Sequence, residues 1–150
     1  FMCSESECGN GSMDWAAGEH TFFLLSDNLG NGVDEYYNWN FILTDHGESP
    51  WGWRQNALIQ VDSHTRHLRY TAEYYAYKHF SHFVTPGATM IGYSGREHAQ
   101  TPIVVYRTSK GMVTIAGNFT DHPQQTSIKI GEKYLNITME PHSFNTYVIK

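Results

Sequence analysis

The sequence is poor in several features that mark large classes of protein. Its 150 residues include only two cysteines, Cys3 and Cys8, which are too few for a disulfide framework and are not spaced as a zinc or redox motif. The chain has ten basic and fifteen acidic residues, which gives a net charge of −5. This charge argues against nucleic acid as a partner, because phosphate binding requires clustered Lys and Arg. No apolar run is long enough to cross a bilayer, so we expect no transmembrane segment.

Metal-binding motifs are also missing, although the chain has nine histidines. His64 with His67, and His79 with His82, are spaced i, i+3, and no carboxylate or cysteine completes either pair into a recognised zinc pattern. We therefore predict no metal site and no cofactor.

What the sequence does contain is enough apolar material for a folded protein. Hydrophobic residues make up 40% and aromatic residues 15%, which is typical of globular proteins. N-glycosylation sequons start at Asn10, Asn118 and Asn136, but so short a motif also arises by chance. The sequence starts at Phe1 without a basic and apolar leader, so we expect no signal peptide and leave the compartment open.

The periodicity of the apolar residues changes near residue 85. Before it, the pattern is typical of βα units, with a strand ending near residue 4, a helix over 14–27, an aromatic strand over 36–43, a loop over 44–55, a short strand over 58–62 and a helix over 71–83. After it, short runs rich in Val, Ile, Thr and Tyr predict an antiparallel β-sandwich with strands over 89–93, 102–107, 112–118, 126–130, 134–139 and 144–149. We therefore predict an α/β domain over 1–85 and an all-β domain over 86–150.

Glu5 and Trp39 are the most informative pair of residues in the chain. Glu5 follows the first predicted strand, and Trp39 lies in the next strand, one helix later. A (β/α) barrel carries its catalytic side chains at the C-terminal ends of its strands. Sugars are commonly bound by a carboxylate together with an aromatic ring that faces their C–H groups. The pair therefore indicates a sugar site, with ordinary solvated glutamates as the alternative.

Segments across nearly the whole chain resemble the C-terminal part of glycoside hydrolase family 30, the clan that includes glucosylceramidase. In the family's order, these segments are Cys3-Ser4-Glu5-Ser6-Glu7-Cys8-Gly9, Asn38-Trp39-Asn40, Gln60-Val61-Asp62, Tyr77-Lys78-His79-Phe80-Ser81-His82-Phe83 and Pro141-His142-Ser143-Phe144-Asn145-Thr146-Tyr147. The resemblance implies the last two βα units of a (β/α)8 barrel over 1–85 and an antiparallel β-sandwich side domain over 86–150. Two βα units cannot close a barrel, so it also implies a partner, the remaining N-terminal barrel segment of the same enzyme.

The resemblance implies a retaining β-glycosidase, and its motif assigns the nucleophile to Glu5. Glu7 is the alternative, because two residues further along an extended segment it shares a face with Glu5. Hydrolysis with retention of the anomeric configuration requires a second carboxylic acid about 5–5.5 Å from the nucleophile. The strand that carries the family's acid/base is not in this sequence, so we expect the chain alone to be inactive.

The resemblance also assigns the residues that would bind the sugar. Trp39 would be the platform at the cleaved bond, with a core tryptophan as the alternative reading. Asn38 or Asn40, one on each side of it, would hydrogen-bond the ligand.

The loop over 44–55 carries three further candidates for substrate binding. Trp51, Trp53 and Arg54 would shape the mouth of the cleft and set its specificity, and simple anchoring of the loop is the alternative.

The resulting hypothesis is hydrolysis of β-linked glucosides or related glycans, in a secreted, periplasmic or lysosomal rather than a cytoplasmic location. A rival hypothesis is a non-catalytic carbohydrate-binding or structural β-sandwich module. It rests on residues 89–150, which alone would make a small sandwich.

Overall fold

The structure is a computed structural model that describes residues 1–6, 8–95 and 99–150. These residues divide into two units, Phe1–His82 and Phe83–Lys150. Neither helix in the described part of the chain is both long and apolar enough to span a membrane.

The first unit alternates short strands with two helices. In chain order its elements are β1 (Met2–Cys3), α1 (Trp15–Gly30), β2 (Glu35–Tyr36), β3 (Ile42–Thr44), β4 (Ile59–Val61), β5 (Leu68–Tyr70) and α2 (Ala72–Phe83). β1 pairs with β2 in parallel, while β3, β4 and β5 form a second sheet in which β3 and β4 are parallel and β5 is antiparallel. The mixed α/β character predicted for this region is confirmed, and these two small sheets do not make up a barrel.

Both predicted helices are confirmed, and each is capped by the residue that precedes it. Asp14 caps α1 by accepting a hydrogen bond from the backbone of Ala17, and the Thr71 hydroxyl accepts one from the backbone of Tyr74 at the start of α2. α1 ends three residues later than predicted. Asn28, beyond the predicted end, lies within the helix and donates its side-chain amide to the carbonyl of Leu24.

The prediction of one continuous strand over 36–43 is wrong. The structure has β2 and β3 instead, with five irregular residues between them. The Asn38 side chain donates to the Asn40 carbonyl, and the Asn40 side chain donates to the Asn56 carbonyl. Asparagine side chains that bond to the backbone in this way compete with the strand ladder. Trp39 therefore lies after a strand and not within one.

β5, which pairs with β4 through a tight turn, was not predicted from the sequence. Asp62 forms this turn by accepting hydrogen bonds from the backbones of His64 and Thr65, and Arg66 takes a φ of 64°. Leu68-Arg69-Tyr70 is only three residues long and exposed throughout, so this run is too short for its alternation of apolar and polar residues to identify a strand.

Close helix contacts fix the interior of the first unit. The rings of Phe22 and Phe80 meet edge to face with 5.3 Å between centroids, and Phe22 is fully buried. Gly18 of α1 faces Ala72 of α2 so closely that a Cβ on the glycine would lie 2.5 Å from the alanine Cβ. The Thr71 hydroxyl contacts the carbonyls of Ala57 and Leu58 at 3.0 Å, which ties α2 to the start of β4.

The second unit is built from two antiparallel sheets. All six predicted strands are present, as β6 (Thr89–Met90), β7 (Ile103–Thr108), β8 (Gly111–Asn118), β9 (Gln124–Ile130), β10 (Lys133–Met139) and β11 (Ser143–Ile149). One sheet has the order β11-β8-β7-β6, and the other is the β9-β10 hairpin. Ile103, Val105 and Thr114 of the first sheet and Ile128 and Ile130 of the second line one cavity of about 600 Å³, so the sheets face each other as the predicted sandwich requires.

Asn118, the last residue of β8, organises one end of this sandwich. It is 0% exposed, and its amide nitrogen contacts the carbonyls of His122, Met139 and Glu140 at 2.9 to 3.1 Å. Its side-chain oxygen accepts from Thr120. Asn118 is therefore a structural residue despite its sequon, because a buried amide with this many partners cannot accept a glycan in the folded state.

We expect Asn118→Ala to lower the free energy of unfolding by about 2 kcal/mol or more, because it leaves buried carbonyls unpaired. Asn136→Ala is the matched control, since Asn136 is an exposed sequon asparagine of the same sandwich, and it should cost less than about 0.5 kcal/mol. Urea unfolding of both variants measures the difference. Equal losses would contradict the role assigned to Asn118.

Candidate functional site

The parallel pair β1–β2 brings the two main predicted site residues to one edge of the first unit. Cys3 is paired with Tyr36, so both strands end at the same level. Beyond that level the two segments continue side by side, with Tyr37 donating to the Cys3 carbonyl and Ser6 donating to the Tyr37 carbonyl, both at 3.0 Å. Glu5 lies in the first of these segments and Trp39 in the second.

Ser6 joins the two segments through its side chain. Its hydroxyl donates to the Asn38 side-chain oxygen at 3.1 Å and accepts from the Trp39 backbone N–H at 3.2 Å. One serine thus fixes the backbone that carries Trp39 directly beside the backbone that carries Glu5. The sequence analysis did not assign Ser6, whose neighbours 32 and 33 residues away are brought to it only by the parallel pairing.

Glu5 and Trp39 are both accessible to a ligand. Glu5 is exposed, and its carboxylate makes no hydrogen bond or ion pair within the described residues. Trp39 is 44% exposed, and its indole has no ring partner in the same part of the chain. Glu7, the alternative nucleophile, lies outside the described residues.

Asn38 has two roles at this edge, one structural and one open to a ligand. Its oxygen accepts from Ser6 and its amide donates to the Asn40 carbonyl at 2.7 Å. One lone pair and one N–H of the Asn38 amide are left for a further partner. Asn38 therefore holds the segment in place and can still meet a ligand group.

Trp51, Trp53 and Arg54 lie on a short hairpin within the loop after β3. Ser49 donates to the Trp53 carbonyl at 2.9 Å, and Glu48 and Arg54 form an antiparallel bridge. The indoles of Trp51 and Trp53 are stacked, with 5.2 Å between ring centroids and 11° between ring planes. All three candidate side chains are exposed.

Asn56 connects this hairpin to the segment that follows Glu5. Its backbone N–H donates to the Cys8 carbonyl at 2.6 Å, and its side-chain oxygen accepts from the Gly11 backbone at 2.7 Å. Its carbonyl accepts from Asn40. Asn56 is buried, and its hydrogen bonds hold three loops at the same edge. Its role rests on contacts distant in sequence, so no local pattern indicated it.

A cavity of about 600 Å³ lies behind this edge, between the loops and helix α1. It is lined by Ser6, Asn38, Asn56 and the buried Glu73, whereas neither Glu5 nor Trp39 contributes to its wall. Glu73 is 6% exposed, and its Oε1 accepts from Thr21 at 3.1 Å. Its Oε2 is buried without a hydrogen-bond partner in the described residues. Burial raises the pKa of Glu73, and the hydrogen bond from Thr21 offsets this only in part.

No group of three or more His, Cys, Asp or Glu side chains in residues 1–6, 8–95 and 99–150 is arranged to hold a metal ion. The chemistry that this edge can offer is that of an exposed carboxylate, an exposed indole and amide groups.

The fold is similar to that of several solved structures, which include a glucanase and a xylanase. SrfJ from Salmonella typhimurium aligns with a TM-score of 0.82 at 23% identity, covering 97% of this chain and 33% of that one. The endo-β1,6-glucanase BT3312 aligns with a TM-score of 0.78 at 16% identity, covering 97% of this chain and 34% of that one. The catalytic domain of a GH30 xylanase C from Talaromyces cellulolyticus aligns with a TM-score of 0.70 at 14% identity, covering 89% of this chain and 35% of that one.

Comparisons based on sequence give no further relationship, because no family model and no curated protein matches the chain. At the identities found, the solved structures show the fold alone. The chain spans about a third of the length of each of them.

The raised pKa of Glu73 predicts a specific pH dependence of stability. The folded state holds this proton more tightly than the unfolded state, so stability should fall as the pH rises from the ordinary glutamate pKa of 4.5 through the raised value. We expect Glu73→Gln to remove this fall and to be more stable than the original chain at neutral pH. Urea midpoints measured across this range test it, with exposed Glu48→Gln as the control. A fall of equal size in Glu73→Gln would refute the assignment.

Proposed function

We propose that this chain is the C-terminal part of a retaining β-glycosidase of glycoside hydrolase family 30, acting on β-linked glucosides or related glycans. The observation that carries the proposal is the parallel pairing of β1 with β2, which brings the segments of Glu5 and Trp39 to one edge through Ser6. Support also comes from the likeness in fold to an endo-β1,6-glucanase and a GH30 xylanase.

In this proposal Glu5 is the nucleophile. Its carboxylate attacks the anomeric carbon to form a glycosyl-enzyme ester while a second carboxylic acid protonates the departing oxygen, and water then hydrolyses the ester. The exposed position of Glu5 suits the attack, because its oxygens are not engaged by other described residues. Trp39 would face the C–H groups of the sugar, and Asn38 would offer its remaining N–H and lone pair to a hydroxyl.

The second carboxylic acid would come from a partner, the remaining N-terminal barrel segment of the same enzyme. Exposed apolar residues on or next to the short strands of the first unit support this partner: Met2, Phe41 and Ile42 are 61%, 64% and 48% exposed. In the described residues β1 is paired on one side only. A parallel sheet with a free apolar edge is unusual, because such sheets are normally buried on both faces. The solved structures with this fold are about three times as long as this chain, which leaves room for the missing strands in a longer polypeptide.

The proposal extends to domain organisation and location. Residues 1–85 would be the end of a (β/α)8 barrel, and residues 86–150 would be its β-sandwich side domain. The protein would be secreted, periplasmic or lysosomal rather than cytoplasmic, and would act on its substrate there.

The decisive test is Glu5→Gln in the longest natural polypeptide that contains this chain. We expect aryl β-glycoside hydrolysis to fall on the order of a thousandfold or more, because an amide cannot replace the nucleophilic carboxylate. A fluorinated glycoside that traps the intermediate should label Glu5 in the original protein, as read by peptide mass spectrometry.

Glu7→Gln is the matched control, since it changes the same chemical group two residues away. It should keep most of the activity. If Glu7 carries the label and its variant loses the activity, the nucleophile assignment is wrong while the glycosidase proposal survives. If neither variant affects a measurable activity, the proposed site is wrong altogether.

The isolated 150-residue chain should have no glycosidase activity, because a retaining mechanism requires two carboxylic acids and we assign only one to this chain. Adding the separately produced N-terminal remainder should restore turnover where the two pieces associate. Rates for the chain, for the remainder and for their mixture give the answer. Full activity in the chain alone would mean that both catalytic carboxylates lie within it.

A further inference from the structure

Trp51 and Trp53 form a stacked aromatic pair that water can reach. Trp51 is 75% exposed and Trp53 48%. Their nearly parallel planes mean that each indole covers one face of the other, so the outer face of Trp51 remains open. Exposure of an indole to water is unfavourable in free energy, and covering it with an apolar surface is favourable.

The hairpin that carries the pair is built to hold it rigidly. Gly52 donates to the Ser49 carbonyl at 3.0 Å, which closes a turn with Pro50 at its second position, and Gly52 itself takes a φ of 84°. This is a three-residue hairpin loop with glycine at its left-handed position. Buried Ser49 also accepts a hydrogen bond from the Trp51 backbone at 3.2 Å. A rigid platform loses little conformational entropy when a ligand binds.

The size and surroundings of the platform fit one pyranose ring. The open face of one indole is about as large as the C–H face of a sugar, whereas a stable protein interface buries about 800 Å² on each partner. Exposed Glu48 and Arg54 pair with each other at the base of the same hairpin and supply charged groups that can bind sugar hydroxyls. This combination of a flat apolar face and a polar rim favours a glycan over a lipid chain.

The platform belongs to the same edge as Glu5 but is separate from Trp39. Asn56 ties the base of the hairpin to Cys8 and Gly11, a few residues after Glu5. Trp39 is held by Ser6 on a different segment. Because the Trp39 indole stacks on neither Trp51 nor Trp53 in the described residues, it is not part of the stacked pair.

We propose that Trp51, backed by Trp53, binds a sugar unit beyond the two units that flank the cleaved bond. The substrate is then an oligosaccharide or polysaccharide chain and not a short glycoside. This inference rests on the proposed function, since it takes the edge at Glu5 as the place of cleavage.

The test measures binding without cleavage, in the parent protein carrying Glu5→Gln. Calorimetric titration with the disaccharides and hexasaccharides of β1,6-glucan and β1,4-xylan gives the dissociation constants. Trp51→Ala should reduce the preference for the hexasaccharide over the disaccharide about tenfold. Trp51→Tyr, which retains a ring, should recover part of it. Tyr134→Ala, which removes an exposed aromatic side chain of the second unit, is the control and should leave the preference unchanged.

The outcomes separate the platform from the proposed function. An unchanged preference in Trp51→Ala, or an equal loss for disaccharide and hexasaccharide, overturns the platform, and hydrolysis by the original protein would then stand untouched. Binding of a hexasaccharide through Trp51 in a protein that hydrolyses no glycoside would uphold the platform and refute the proposed function.

Discussion

The candidate site depends on one constraint, the parallel register of two strands that are only two residues long. Cys3 opposite Tyr36 sets the level at which both segments leave the sheet, and the Ser6 hydroxyl then fixes Trp39 beside the residue after Glu5. A shift of one residue would turn the side chains of one segment to the opposite face. Pairing this short is weak by itself, so its precision must come from the asparagine side chains around it.

Those asparagines explain why the first unit is irregular where its predicted chemistry lies. Asn38, Asn40 and Asn56 satisfy backbone groups that a continuous strand would have paired with a neighbour. Each such bond contributes only about 1 kcal/mol net, but an unpaired buried partner costs more, so the network holds as a set. In this region, side-chain hydrogen bonds therefore replace regular strand pairing and hold the loops in one arrangement. A binding site requires loops that are held rigidly.

Prediction from sequence succeeded where the signal is local. α2 and the six strands of the second unit follow from helical spacing, strand runs and glycine turns that lie within a few residues. It failed at the break between β2 and β3 and at β5, where the outcome depends on partners such as Asn56 and β4 elsewhere in the chain. Glu5 and Trp39 were assigned by motif and stay predictions, whereas Ser6, Asn56 and Glu73 make contacts with residues 16 to 52 positions away and have no local signature.

The two units differ in how far they can stand alone. In the second, β7 pairs along its whole length with β8, and the two strands bury Val104, Ile115 and Ala116. In the first, the strands are two or three residues long, and apolar side chains such as Met2, Ile42 and Leu68 face solvent. Burial of apolar area is the main force that orders a sheet, so short strands with exposed side chains gain little from it. The edge that carries Glu5 would reach full rigidity only when further strands cover those side chains, and this couples the proposed chemistry to completion of the sheet.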